Sequence, residues 1–320
     1  MICPQDEQRR DYTPEVSIGL PVYNGERYLE ACIRSVLSQS LDDLQFVISD
    51  NASTDRTEEI CRDLAASDRR IHYIRQAHNR GAAANYNICL DAAKGRYFHW
   101  INHDDRLLPD YLRGTRDVLA KHDDVALAFT HTRLIDEDGR PLPYDAAANA
   151  FIDRQGLHRR GQSADDIATQ ADPVARFADV FARMTTVFHI FGLSHTEIWR
   201  QTRGHRPVYG ADKNLVAEVA LYGRFHVVPA VQYEKREHAE QSIAIRSAEG
   251  RARWIDPKAR KSLFPHLALQ KQNLEAIWNA PISFGDRCAL SAHVMRNLGV
   301  RIMLDPRNWR PQYLDQHTIG

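Results

Sequence analysis

The stretch YFHWINHDDRLLP, residues 97 to 109, is apolar and aromatic as far as Ile101, then sets two carboxylates, Asp104 and Asp105, side by side. Adjacent like charges repel, so at the end of a buried strand each must find solvent, backbone N–H donors or a cation. Three other apolar runs lead into polar groups. VSIGLPV (16 to 22) contains Pro21 and is followed by Tyr23 and Asn24; LQFVISD (44 to 50) closes on Asp50 before Asn51; IHYIR (71 to 75) leads to Asn79 and Arg80. An aromatic ring, a guanidinium, a lone carboxylate and a carboxylate pair, brought together, are fittings for a base, a phosphate and a metal ion. Asp50 would accept hydrogen bonds from ring N–H groups, Arg80 would pair with a diphosphate, and the Asp104–Asp105 turn would bind a divalent cation bridging the same phosphates.

Two alternating periodicities supply the scaffold. After VSIGLPV comes Asn24, a good N-cap, and then Leu29, Cys32, Ile33, Val36 and Leu37 at helical spacing. LQFVISD repeats the strand signal, and Asp55 with Glu58 resembles a capping box opening the helix of Ile60, Cys61 and Leu64. IHYIR is a third strand before a helix from about Ala82 to Ala93; YFHWI is a fourth, before a helix with Pro109 at its first position; VALAFTHT (125 to 132) is a fifth. Such alternation predicts an α/β fold with a mostly parallel sheet flanked by helices, whose ligands sit at the carboxyl ends of the strands. In that sheet the four polar strand ends share one edge.

Beyond the turn signal DEDG (136 to 139) the pattern loosens into a polar stretch, 152 to 163, that reads as a surface loop. Helical spacing returns in DPVARFADVFARM (172 to 184) and near Ala211, FHVVPAVQY (225 to 233) is strand-like, and residues 251 to 300 hold two or three helical segments. Lys and Arg number 42 against 42 Asp and Glu, so no net field draws nucleic acid or an anionic membrane. No apolar stretch approaches the ~20 residues of a membrane span, and MICPQDEQRRDY has no hydrophobic signal core. Cys3, Cys32, Cys61, Cys89 and Cys288 lack C-x-x-C spacing and read as reduced packing residues. The expectation is a cytoplasmic globule with no nucleic-acid partner and no membrane span, in which the basic cluster RARWIDPKARK (251 to 261) is a solvated face or a peripheral membrane contact.

In order, VSIGLPVYN, FVISDNASTD, NRGAAANYN and WINHDD resemble the nucleotide-sugar domain of family-2 glycosyltransferases with the GT-A fold. The resemblance is clear over residues 15 to 135 and weaker to about 240. It implies an inverting transfer from a nucleoside diphosphate sugar, such as UDP or dTDP sugar, to a hydroxyl acceptor, assisted by Mg2+ or Mn2+. Carried over by position, the resemblance implies that Pro21 and Asn24 line the nucleotide side with Asn79, that Tyr23 and Asp50 hold the nucleobase, that Arg80 contacts base or phosphate, that Asp104 lies near the ribose, and that Asp105 coordinates the metal. One departure is that His103 stands in the first place of the usual Asp-x-Asp pattern. Downstream, GADKNLVAEVALYG (210 to 223) is similar to the family's acceptor-side helix and puts Asp212 at the place of the catalytic base. His238, in KREHAEQS, matches a place where some relatives carry a metal or phosphate ligand. The implied organisation is an N-terminal arm (1–14), a nucleotide-sugar half (15–135), an acceptor half of the same domain (136–250) and a C-terminal helical extension (251–320).

Each residue also has a plainer role. Asp105 and Asp212 would both stabilise a helix N-terminus, Asp50 would form a turn before Asn51, and Arg80 and His238 would be ordinary polar residues. An NAD-dependent dehydrogenase is disfavoured because GLPVYNG lacks the G-x-G-x-x-G turn. The processive synthases of the family add membrane spans and a Gln-x-x-Arg-Trp motif, and neither is seen in this sequence. A nucleotide-sugar-binding protein without turnover is the remaining competitor, which donor hydrolysis or transfer would exclude.

Overall fold

The computed structural model describes residues 13–304, apart from 161–165, 209, 242–244, 246 and 259–264. Cys3 and the end of the basic cluster lie outside the described residues. The first half runs β1 (Val16–Val22), α1 (Leu29–Leu37), β2 (Leu44–Asp50), α2 (Thr57–Ser67), β3 (Ile71–Arg75), α3 (Ala82–Asp91) and β4 (Tyr97–Trp100). All seven residues of β1 are buried, as expected for a strand covered by helices on both faces. β1 pairs in parallel with β2 from Val16↔Leu44 to Val22↔Asp50 and with β4 from Val16↔Tyr97 to Gly19↔Trp100. Pro21 sits in this central strand without loss. Gly19, two residues earlier, gives its carbonyl to Ile101 N–H on the β4 side, and by Pro21 that pairing has ended.

The chain continues through β5 (Arg106–Leu107), α4 (Tyr111–Lys121), β6 (Val125–Ile135), β7 (Tyr144–Asp145), β8 (Ala150–Ile152) and β9 (His158–Arg160). After α5 (Pro173–Arg183) and a 3-10 turn (Phe188–Phe191) come β10 (Ser194–His195), α6 (Thr196–Gln201), α7 (Asp212–Val219), β11 (Arg224–Arg236), α8 (Ala248–Ile255), α9 (Pro265–Asn279) and α10 (Phe284–Leu304). The main sheet has the order β10-β4-β1-β2-β3, with β10 antiparallel. The four strands whose ends carry the polar groups are therefore parallel neighbours.

The fifth expected strand does not extend this sheet. β6 pairs in parallel with β11, nearly a hundred residues later, in a separate sheet β5-β11-β6. The pairing skips from Val228 to Val231, around Pro229, which has no N–H to give the ladder. The polar stretch expected as a loop contains the β8–β9 hairpin instead, up to Arg160. Asn24 caps no helix, because α1 begins at Leu29; with φ 51° it turns the chain and accepts Thr54 N–H at 2.8 Å. Pro109 precedes the first residue of α4 by two places. Asp172 caps α5, accepting from Val174 N and Ala175 N.

The C-terminal helices are not a separate appendage. Ile277, Ala280, Leu290 and Val294 belong to the same buried cluster as Val16 and Phe46. The end of α8 also packs onto Gly81, whose φ is +85°; a Cβ there would lie 2.5 Å from the Ile255 carbonyl oxygen. Cys32, Cys61 and Cys89 are buried free thiols, and burial pushes Cys61 up to about 12. Among the described residues no helix is long and apolar enough to cross a membrane.

Candidate active site

The strand ends are sewn to one another. Asp50 is fully buried at the end of β2, and its two oxygens accept Ser53 N–H (2.8 Å), Tyr73 O–H (2.7 Å) and an Arg75 N–H (2.6 Å). It thus forms the turn of its plainer reading and is also paired to β3, through a guanidinium that sequence reasoning missed. Asn51 donates to Asn79 Oδ1 at 3.0 Å and accepts Arg80 N–H at 2.8 Å, which fixes the β3–α3 loop beside it. Asn24 N–H donates to Ser53 Oγ at 2.9 Å. Pro21 is buried beneath this surface, and Tyr23, 45% exposed, stands on it with Asn24 and Arg80.

The paired carboxylates part company after β4. Asp104 Oδ2 meets His238 Nε2 at 2.9 Å, and the Tyr28 ring packs against His238 at 4.9 Å. Burial works to raise Asp104, but the His238 hydrogen bond and the charges of His103, Lys235 and His238 hold it well below the ordinary carboxylate range. Asp105 turns inward and is fully buried. Its oxygens accept Tyr233 O–H (2.8 Å) and Arg236 N–H (2.9 Å), and Lys235 Nζ lies 3.8 Å away. Burial pushes Asp105 up to about 6 against the pull of Lys235. Burial would lower Lys235, yet the two aspartates raise it, so the ammonium is kept. The doubled charge is met by an ammonium, a hydroxyl and a backbone amide from β11 and by an imidazole two residues past its end.

The two carboxylates are thus placed differently from one another. Asp105 has its oxygens engaged in the interior, whereas the carboxylate beside His238 is Asp104. His103 packs against Gly25, where a Cβ would fall 2.8 Å from its ring, and burial lowers its pKa.

Asp212 is the first residue of α7, whose Leu215, Val216 and Val219 are buried as expected, while its own side chain is 50% exposed. Tyr86 connects it with the strand ends. The Tyr86 hydroxyl donates to Asn102 Oδ1, and burial, Asp212, Asp104 and Asp105, in falling order, push it well above the usual tyrosine value. Carboxylates more than a hundred residues apart therefore act on one hydroxyl, and His205, 3.5 Å from Asp212, packs on the Tyr86 ring at 4.3 Å.

Glu218 lies on the same helix. It is 5% exposed, and burial pushes it up to about 7 against the pull of the Arg203 amide and of the Arg203 and Arg206 guanidinia. A carboxyl raised on folding takes up a proton in the folded state, so its contribution is full below its unfolded value of 4.5 and is lost as pH rises through about 7. That loss is on the order of 3 kcal/mol. Glu218→Gln should melt several degrees above the wild type at pH 8 and level with it below pH 4.5. Equal melting at both would show that the carboxyl is hydrated.

Besides Arg75, the residues missed in the sequence are Tyr86, Asn102, Tyr233 and Lys235. The run YEKREH at the end of a strand was their one local signal, two cations and an imidazole within four residues.

Residues 17–174 match the family model described as Glycosyl transferase family 2. TuaG of Bacillus subtilis (strain 168), provisionally named a teichuronic acid biosynthesis glycosyltransferase, is 35% identical over 132 residues, 41% of this chain and 52% of TuaG. Chondroitin synthase of Escherichia coli is 34% identical over 126 residues, 39% of this chain and 18% of the synthase. The chain spans about half or less of the length of these curated relatives. Among solved structures, S. aureus TarS 1–349 in complex with UDP-GlcNAc is similar at a TM-score of 0.61 and 15% identity, covering 92% of this chain and 78% of that one. This is a likeness of fold. Through residues 17–174 the chain belongs to glycosyl transferase family 2, on the GT-A fold that its strand order displays.

Proposed function

We propose that the protein is an inverting, non-processive glycosyltransferase that moves one sugar from a UDP or dTDP sugar to a hydroxyl of a glycan, lipid-linked or natural-product acceptor. The observation that carries this is the run of contacts from Asp212 to His205 (3.5 Å), from His205 to the Tyr86 ring (4.3 Å) and from the Tyr86 hydroxyl to Asn102, just past β4. That TarS was solved with UDP-GlcNAc and with UDP supports uridine as the base. In the transfer the acceptor oxygen bonds to the anomeric carbon while the bond from that carbon to the diphosphate oxygen breaks, inverting the centre. Asp212 takes the hydroxyl proton. Asp50, Tyr23 and Asn24 frame the nucleobase, and Arg80, exposed at the rim, supplies positive charge for the diphosphate.

The fold family implies a divalent ion, and the donor set fits one in a restricted sense. Asp104 and His238 share a proton between two electron-pair donors, and an ion can take that proton's place. Among the described residues no group of three or more His, Cys, Asp or Glu side chains is placed to hold a metal ion. Two protein donors suit Mg2+ or Mn2+, which leave other positions to waters and substrate phosphates. Bound there, the ion would neutralise charge developing on the leaving diphosphate.

With only two protein donors, metal and nucleotide should bind together. In thermal-shift measurements UDP or dTDP with Mn2+ should stabilise the chain by about 2.7 kcal/mol at a hundredfold excess over Kd, which is more than the sum of the separate shifts. A panel in which NAD gives the largest shift and no pyrimidine diphosphate registers would sink the reading.

A further inference from the structure

The loop before α7 holds an imidazole in a way that the strand-end chemistry does not use. His205 is 7% exposed, with its ring 4.3 Å from that of Tyr86 and edge-on to Trp100 at 4.9 Å. Its backbone is gripped from both sides by one amide: His205 N–H donates to Asn87 Oδ1 at 2.8 Å, and Asn87 Nδ2 donates to the His205 carbonyl at 2.9 Å. Gly204, at φ +61°, allows this approach, since a Cβ there would lie 2.5 Å from Asn87 Oδ1. The flanking Arg203 and Arg206 are both tied to Glu275 of α9, at 2.9 and 3.0 Å. A ring held by its backbone, two aromatic faces and two neighbouring ion pairs has little freedom to turn.

Its two nitrogens face different surroundings. Nδ1 lies 3.5 Å from Asp212 Oδ1, while Nε2 is buried with no hydrogen-bond partner among the described residues. A neutral imidazole carries one proton, and a buried N–H without an acceptor is a rarer and costlier state than a lone pair without a donor. The neutral tautomer that leaves no buried N–H without an acceptor carries its proton on Nδ1, 3.5 Å from the aspartate.

We propose that His205 is a positioning residue for Asp212, donating Nδ1–H to Oδ1 so that the half-exposed carboxylate is held in one rotamer with Oδ2 left for the acceptor hydroxyl. The proposal rests on the reading of Asp212 as the base. When Oδ2 takes the hydroxyl proton, Oδ1 becomes the carbonyl oxygen and still accepts from Nδ1, so the orientation persists through the step.

The test is long-range nitrogen–proton NMR on the full chain labelled in its histidines, with His205→Asn identifying the ring by its missing signals. The expected result is a protonated Nδ1, with that signal shifted in Asp212→Asn. An Nδ1 without a proton overturns the proposal. A second measurement follows UDP release from UDP-GlcNAc with water as the acceptor. His205→Phe keeps the aromatic packing and should lower kcat roughly 10- to 100-fold, the worth of a hydrogen bond to a charged group, at unchanged KM. His205→Asn, whose amide N–H stands near the place of Nδ1–H, should restore most of it. Equal loss in both variants together with lowered melting would make His205 structural and overturn the role. Asp212→Asn separates the failures: if it loses turnover and His205→Phe does not, the positioning role falls alone; if it keeps turnover, the base assignment falls and His205 with it.

Discussion

Asp212→Asn is expected to leave the binding of UDP with Mn2+ unchanged and to lower the transfer rate by the ~10²- to 10⁴-fold that follows loss of a general base. The substitution keeps the shape of the side chain and removes the basic oxygen. It should be structurally silent, because the side chain is half exposed and α7 is anchored by Leu215, Val216 and Val219, all buried. Donor affinity and single-turnover rate in this variant are the decisive pair of measurements. Transfer near the wild-type rate would move the base elsewhere. Glu218 is then a poor substitute, being buried beside Arg203 and Arg206, and His238 is already paired with Asp104. Lost donor affinity would instead make Asp212 a binding residue.

Asp105→Ala is expected to cost about 3 to 5 kcal/mol of stability, the penalty for removing one partner of a buried charge pair. The variant would strand the Lys235 ammonium, the Tyr233 hydroxyl and the Arg236 amide together in the interior. Sequence alone suggests the opposite, an unchanged fold with lost metal dependence, because it treats Asp105 as the ligand. In the structure that phenotype belongs to Asp104→Ala, which removes the carboxylate facing His238 and should abolish the extra stabilisation by Mn2+ and UDP together at a smaller cost in folding. Urea unfolding and the metal–nucleotide shift, measured on both variants, tell them apart. Normal stability with lost metal coupling in Asp105→Ala would return the ion to that residue.

What the sequence by itself determined is what local pattern encodes. β1 to β4 were legible within a residue or so, because short continuous apolar runs bounded by polar residues have few alternatives, and their succession with helices implies parallel neighbours with common ends. The positions of Asp50, Asp104 and Asp212 at element ends followed from the same periodicity. Tertiary structure alone decided where each of the two adjacent carboxylates goes. Successive side chains leave the chain in different directions, and their destinations depend on a segment 128 to 134 residues away, the end of β11 with Tyr233, Lys235 and Arg236 and then His238. The pairing of β6 with β11, the absorption of the C-terminal helices into the core and the seating of His205 on Tyr86 were hidden for the same reason. Each is a contact between surfaces that local propensity leaves equally free to meet other partners, and only the simultaneous burial of all of them selects one arrangement.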